Sequence, residues 1–274
     1  MSRIEEALKK AAHLAQWQAP AVRPIPYESP TPSCDQEPLT QPNNHMLINM
    51  LSAQSAVAEE YSKLKEAFIK QARRDRFNNV VIVTSANPHE GKTITTLNLA
   101  ISLAQEFDYT VLVVEADLRA PSCLKYLGLT SGLGLSDCLE GRAECSNALI
   151  RTGIGRLVIL PAGKSVANPV ELLSSNRMRQ FIQELKHRYP DRFILIDTPP
   201  ANMFAETRAM ASMADSAILV VQEGETSLED LAEATQALDN KVMGIVYNNA
   251  SRSPFTKTSS YYYDIYEQLD VADQ

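Results

Sequence analysis

Residues 80–101 constrain this chain more than any other stretch. The apolar, β-branched run Val80-Val81-Ile82-Val83 leads straight into Ser85-Ala86-Asn87-Pro88-His89-Glu90-Gly91-Lys92-Thr93, and a helical pattern, Thr95-Thr96-Leu97-Asn98-Leu99-Ala100-Ile101, follows at once. A strand, a tight loop ending Gly-Lys-Thr and a helix form the setting of a phosphate-binding loop. Backbone N–H groups at the helix start face an anion, the lysine reaches the terminal phosphates, and the threonine hydroxyl can ligate Mg²⁺. Gly91 lets the backbone approach a phosphate with no Cβ in the way. The candidate cradle therefore runs through Ala86, Asn87, Pro88, His89, Glu90, Gly91, Lys92, Thr93 and Ile94. Ala86 stands where such loops usually carry their first glycine, and Gly91 is the first glycine in the chain.

Two further strands end in acids. Val111-Leu112-Val113-Val114 runs into Glu115-Ala116-Asp117-Leu118-Arg119, and Phe193-Ile194-Leu195-Ile196 runs into Asp197-Thr198-Pro199-Pro200. Open α/β sheets bind ligands at the carboxyl ends of their strands. An acid there can also do no more than cap the next segment, but two such motifs beside a Gly-Lys-Thr loop favour a nucleotide site. Mg²⁺ takes one or two carboxylates together with phosphate and water oxygens, so Thr93, Asp117 and Asp197 are the expected protein ligands. The chain has no Asn-Lys-x-Asp guanine reader, since Asn240-Lys241-Val242-Met243 lacks the acid. It also lacks the Gly-rich loop, His-Arg-Asp and Asp-Phe-Gly elements of eukaryotic-type kinases. ATP is the expected nucleotide.

The chain reads as four parts: an amphipathic helix within 1–18, a proline-rich linker over 19–55, a nucleotide-binding domain over 56–250 and a tail over 251–274. In the first, Ser2 and Glu5 form a capping box and Ile4, Ala7, Leu8, Ala11, Ala12 and Ala15 share one face. Seven of the fifteen prolines fall between Pro20 and Pro42, a composition that cannot bury a core. The domain opens with a helix whose apolar face is Val57, Tyr61, Leu64, Phe68 and Ala72. Strands are expected near 79–84, 110–115, 157–161, 193–197, 216–221 and 243–248, with helices from Lys92, from Asn168-Pro169, near Ala205 and from Ser227. That alternation gives an α/β fold with a doubly wound, mostly parallel sheet. In the tail, Tyr261, Tyr262, Tyr263 and Tyr266 put four of ten tyrosines within six residues. Three consecutive tyrosines cannot all face one surface in a helix or strand, so they read as accessible phosphoacceptors rather than core.

A formal charge of −7 offers no electrostatic footprint for nucleic acid. Cys34, Cys123, Cys138 and Cys145 show no metal-ligand spacing and read as reduced cytosolic thiols. No run approaches the ~18 apolar residues of a membrane span, so any membrane association is expected to come through a partner.

The set of Ser85–Thr93, Glu115/Asp117 with Arg119-Ala120-Pro121-Ser122, and Ile196-Asp197-Thr198-Pro199-Pro200 resembles the Walker A, A′ and B motifs of the bacterial P-loop tyrosine autokinases of capsule and exopolysaccharide loci. Asn168-Pro169-Val170-Glu171-Leu172-Leu173-Ser174-Ser175 and the tyrosine cluster are similar to the same family, and Ser2-Arg3-Ile4-Glu5-Glu6-Ala7-Leu8 to its stand-alone cytosolic members. The partition and division-site ATPases share this fold but carry a lysine five residues before the loop lysine, where this chain has Asn87.

The resemblance implies a P-loop ATPase fold and ATP- and Mg²⁺-dependent autophosphorylation in trans. It implies a catalytic set of Lys92, Glu115, Asp117, Arg119 and Asp197, with Glu115 where the family places an aspartate base. Arg119 is open to steadying the phosphates, steadying the loop or forming a surface ion pair. Implied partners are a transmembrane polysaccharide chain-length regulator or co-polymerase acting as activator at the inner membrane, a tyrosine phosphatase, and further copies of the chain. The family assembles through Glu-x-x-Arg-x-x-Arg, matched here by Glu59, Ser62 and Lys65. The competing expectation is an ATP-driven switch or scaffold with structural tyrosines.

Overall fold

In a computed structural model, residues 46–47, 55–74, 77–106, 108–188 and 192–251 are described. The amphipathic helix, most of the linker and the tyrosine cluster lie outside the described residues.

The strands are β1 (Val80–Ser85), β2 (Thr110–Glu115), β3 (Ile150–Arg151), β4 (Leu157–Leu160), β5 (Arg192–Asp197), β6 (Ser216–Gln222) and β7 (Val242–Asn248). They form one sheet in the order β3-β4-β2-β5-β1-β6-β7. Every pairing is parallel except that of β3 with β4. The expected doubly wound sheet is therefore present, with one strand more than the sequence suggests. β3 is only two residues long, too short for a period-2 pattern, and it forms by folding back on β4.

The apolar runs are near-continuous because both faces of the sheet are covered, as in parallel sheets generally. Val80, Ile82, Leu112, Val114, Ile194 and Ile196 pack on one face with Met178, Ile182 and Met210. Val81, Val83, Val111, Val113, Phe193 and Leu195 pack on the other with Leu97, Ile101 and Phe68. Ser55 caps the helix Ala56–Ala72, its hydroxyl accepting from the Ala58 N–H at 3.1 Å. Phe68 then meets Phe193 at 5.0 Å between ring centroids and anchors the helix on the sheet. Its buried line includes Ala58 rather than the expected Val57, which is 45% exposed.

The helices expected at Lys92, Asn168-Pro169, Ala205 and Ser227 form as Lys92–Ala104, Pro169–Leu173, Ala205–Met213 and Leu228–Ala237. Ser227 and Asp230 make a capping box on the last of these. The sequence reading did not separate the helix Asn176–Arg188 from the one before it, nor anticipate the short helices Cys123–Leu127, Leu135–Leu139 and Cys145–Ala148.

Candidate active site

Strand order places the three sequence motifs side by side. β5 lies between β2 and β1, so Asp197 pairs in register with Glu115 on one side and Val83 on the other. The carboxyl edge of the sheet thus carries the Gly-Lys-Thr loop, Asp197 and the Glu115–Asp117 turn in one row.

The loop is held by its own side chains. Ser85 Oγ donates to the Asn87 carbonyl at 2.6 Å, and the Asn87 N–H donates to Glu90 Oε2 at 2.9 Å. Glu90 is buried, and its other oxygen accepts from the Thr226 hydroxyl. His89 and Gly91 both adopt positive φ, 66° and 90°. Asn248, at the end of β7, donates its side-chain N–H to the Glu90 carbonyl at 2.9 Å. A Cβ on Gly91 would stand 2.1 Å from that Asn248 nitrogen, so a larger residue would have to displace the Asn248 amide from the Glu90 carbonyl, and the positive φ itself favours glycine. Ala86, in the place of the usual first glycine, is buried, Pro88 and His89 face solvent, and Ile94 lies half-buried in the first turn of the helix.

Lys92 Nζ donates to Asp117 Oδ2 at 2.8 Å, and Thr93 Oγ1 donates to Asp197 Oδ2 at 2.7 Å. Burial alone would lower the Lys92 pKa, but the carboxylates of Asp197 and Asp117 outweigh it and hold the ammonium above its ordinary value. Burial pushes Asp197 up to about 6 against the opposing pull of Lys92 and Thr93. These four side chains are the expected set, brought together as expected. Hard oxygen donors from Thr93, Asp117 and Asp197 suit Mg²⁺. Among the described residues no three of His, Cys, Asp and Glu converge to hold a metal alone.

Two further expected residues have partners of their own. Arg119 donates through Nε to the buried Glu206 at 2.6 Å, and its guanidinium lies 4.8 Å from the centre of the Phe204 ring. This ion pair, one of the roles left open for it, fastens the Asp117 turn to the segment after β5. Glu115, expected as the base, is 2% exposed, and its oxygens are turned to the backbone. Oε1 accepts from the N–H groups of Ser122 at 2.5 Å and Cys123 at 2.6 Å, and Oε2 from that of Ala162 at 3.1 Å. The carboxylate, expected as the base, is thus occupied by backbone donors whose positions are set by the chain.

The sequence reading also missed Cys123, Thr226 and Asn248. Cys123 is fully buried, and its sulfur stands 3.8 Å from Asp197 Oδ2. Burial, together with Glu115 and Asp197, pushes this thiol well above its usual range and keeps it protonated. Asn248 carried a signal, since it ends a strand of the same sheet at the same edge; Thr226 and Cys123 carried none.

Residues 78–245 match the AAA domain family. A tyrosine-protein kinase of Bacillus subtilis, YwqD, is 33% identical over 218 residues, 78% of this chain and 90% of that one. The chain belongs to the bacterial P-loop tyrosine kinases. The kinase domain of the Escherichia coli tyrosine kinase ETK superposes on this family member with a TM-score of 0.64 at 26% identity, over 71% of this chain and 78% of that one. A septum site-determining protein MinD from Pyrococcus horikoshii, in complex with Mg-ADP, does so at 0.53 and 25% identity, covering 68% and 77%. The P-loop ATPase fold is therefore shared with both groups.

Proposed function

We propose that this enzyme, a protein-tyrosine kinase by family, is an ATP- and Mg²⁺-dependent autokinase. It phosphorylates Tyr261, Tyr262, Tyr263 and Tyr266 of a neighbouring copy and thereby regulates exopolysaccharide polymerisation or export. The observation that carries the reading is the paired contact at one sheet edge: Lys92 with Asp117, and Thr93 with Asp197.

Phosphoryl transfer depends mainly on positioning and on neutralising charge on the transferred group. Lys92 and the N–H groups from Gly91 onward hold the terminal phosphates. Asp117, Thr93 and Asp197 would hold the cation, Asp117 from its place beside Lys92 and Thr93 from its place beside Asp197. Mg²⁺, when bound, neutralises phosphate charge and aligns the phosphates. A phenol has a pKa near 10, so its hydroxyl needs orientation more than early deprotonation, and a site without Glu115 as base remains competent.

Acting on a neighbour requires further copies of the chain. On the helix Ala56–Ala72, Lys65 is paired with Glu106 of its own chain and the Ser62 hydroxyl bonds back to the Ala58 carbonyl at 3.1 Å. Glu59 is exposed and remains to meet another copy. This motif is weaker than a Glu-x-x-Arg-x-x-Arg helix, because lysine lacks arginine's bidentate fork. Assembly therefore draws on a transmembrane chain-length regulator or co-polymerase as activator, and a tyrosine phosphatase resets the tail. Among the described residues no helix is long and apolar enough to cross a membrane, so location at the inner membrane rests on that partner.

Phosphosite mapping by mass spectrometry after incubation with Mg-ATP, with and without a co-expressed membrane activator, tests the reading. Phosphotyrosine in 261–266 supports it. ATP hydrolysis with no phosphotyrosine would leave an ATP-driven switch.

A further inference from the structure

We infer that Glu115 is a positioning residue: its carboxylate splints the Asp117 turn to the sheet and does not take the proton of the acceptor tyrosine. The inference rests on the kinase reading of the site.

The oxygens of Glu115 are turned to the backbone. A carboxylate has about four acceptor positions. Three are filled by the Ser122, Cys123 and Ala162 N–H groups, and the residue is 2% exposed. Its carboxylate faces fixed amides rather than an incoming phenol.

The donors come from two segments that the strand end must join. Ser122 and Cys123 begin the helix Cys123–Leu127, which no cap side chain serves, so Glu115 satisfies N–H groups that would otherwise be orphaned. Ala162 lies just beyond β4, and its carbonyl accepts from the Ser136 N–H at 2.9 Å. Asp117 closes the near end of the same turn, accepting from the Ala120 N–H at 3.1 Å. The segment 117–123 is therefore pinned at both ends, and Asp117 is held where Lys92 finds it. Cys123, held by Glu115 and standing 3.8 Å from Asp197, extends the brace to the second acid.

This accounts for glutamate at a position where aspartate is the expectation. Its extra methylene, about 1.5 Å of reach, carries the carboxylate past the strand end to amides seven and eight residues on.

The test compares Glu115→Gln with Glu115→Asp in the full-length protein. It reads kcat and KM for autophosphorylation and site-resolved hydrogen exchange at the Ser122, Cys123 and Ala162 amides. Gln keeps the length and one acceptor oxygen, which serves Ser122 and Cys123 but presents N–H groups to Ala162. Asp keeps the charge and loses the reach. A splint predicts the activity order Glu, then Gln, then Asp. The expected losses in kcat are about tenfold for Gln and about 100-fold for Asp, the size seen when catalytic groups shift by an ångström. KM for Mg-ATP should change little, and amide protection should fall in the same order as kcat.

Wild-type-like activity in Glu115→Asp with a dead Glu115→Gln, amide protection intact in both, would restore the base. Faster amide exchange with unchanged kcat would reduce the contacts to plain structure and also overturn the inference. If Glu115→Asp fails to fold, Glu115→Gln decides alone: a loss to background with protected amides indicates a base, and a partial loss with freed amides a splint. Absence of phosphotyrosine in the wild type would instead count against the kinase reading itself.

Discussion

Glu115 and Asp197 are neighbours in register at the ends of adjacent parallel strands, both almost fully buried, yet the chain uses them in opposite ways. Asp197 meets side chains, chiefly the Thr93 hydroxyl, with the Cys123 sulfur nearby. Those donors can turn to a ligand, and without one the carboxyl is pushed up to about 6 by burial. Glu115 meets backbone amides, whose positions are set by the chain. A buried acid with rotatable partners is ready to exchange them for a cation, and one held by amides is part of the scaffold. Asp137 belongs with Glu115: it accepts from the Gly134 N–H at 3.1 Å, the Lys164 N–H at 3.4 Å and Arg142 Nε at 3.0 Å. What an acid at a strand end does is decided by the donors that reach it.

The largest expected effect comes from the exchangeable side. Lys92→Ala removes the charge that Asp117 and Asp197 share, and autophosphorylation should fall by at least about 100-fold, the scale of losing one electrostatic stabiliser of the transferred group. Circular dichroism should show the sheet intact. Unchanged turnover of ATP would break the assignment of the site.

Next in size is Gly91→Ala. At φ 90° a Cβ is strained, and it would also strike Asn248. The backbone cost is about 1–2 kcal/mol. Calorimetric titration should show nucleotide affinity lowered by about tenfold or more, while the Lys92–Asp117 pair stays in place.

The fixed side is tested through Asp137. Burial alone would raise its pKa, but Arg142 and the Lys164 and Gly134 amides outweigh it and hold the carboxyl below its ordinary value. Such a group adds stability above the usual aspartate range, near pH 4, and loses it as pH falls through the lowered value. Asp137→Asn should therefore lower Tm at pH 7 by a few degrees, for a loss of about 1–3 kcal/mol. The gap from wild type should close below about pH 4, with kcat little changed. A Tm gap independent of pH would separate Asp137 from the amide-held class.

The smallest effect concerns thiols. Cys138 and Cys145 are half-buried, and a hydrogen bond from Cys138 lowers the Cys145 pKa, while Cys123 is fully buried and held high. Among the three cysteines of the described residues, peptide-level alkylation at pH 8 should label Cys145 first and Cys123 last. Early labelling of Cys123 would show that the brace beneath Asp197 opens.

Much of this arrangement was legible in the sequence. Lys92, Thr93, Asp117 and Asp197 were readable because each follows an apolar run that can only be a buried strand, and parallel strands bring their carboxyl ends to one edge. The direction of a side chain was not readable. Glu115 precedes its donors by seven, eight and forty-seven residues, and neither strand nor helix periodicity relates such positions. Arg119 was similarly opaque, because its partner Glu206 lies on a helix eighty-seven residues away. The short helices and β3 went unseen because elements of two to five residues are set by tertiary contacts rather than by pattern.

The kinase reading is tested most directly by separating enzyme from acceptor. Full-length Lys92→Ala, unable to phosphorylate, is mixed with wild-type protein ending at Ser251, which keeps the site and has no tyrosine cluster, in the presence of Mg-ATP and the membrane activator. Phosphate is then mapped by mass spectrometry. The account predicts phosphotyrosine at 261–266 of the Lys92→Ala chain only when both proteins are present. Phosphate that appears without the second protein, or never appears while full-length wild-type protein labels itself, would contradict transfer between copies through this site.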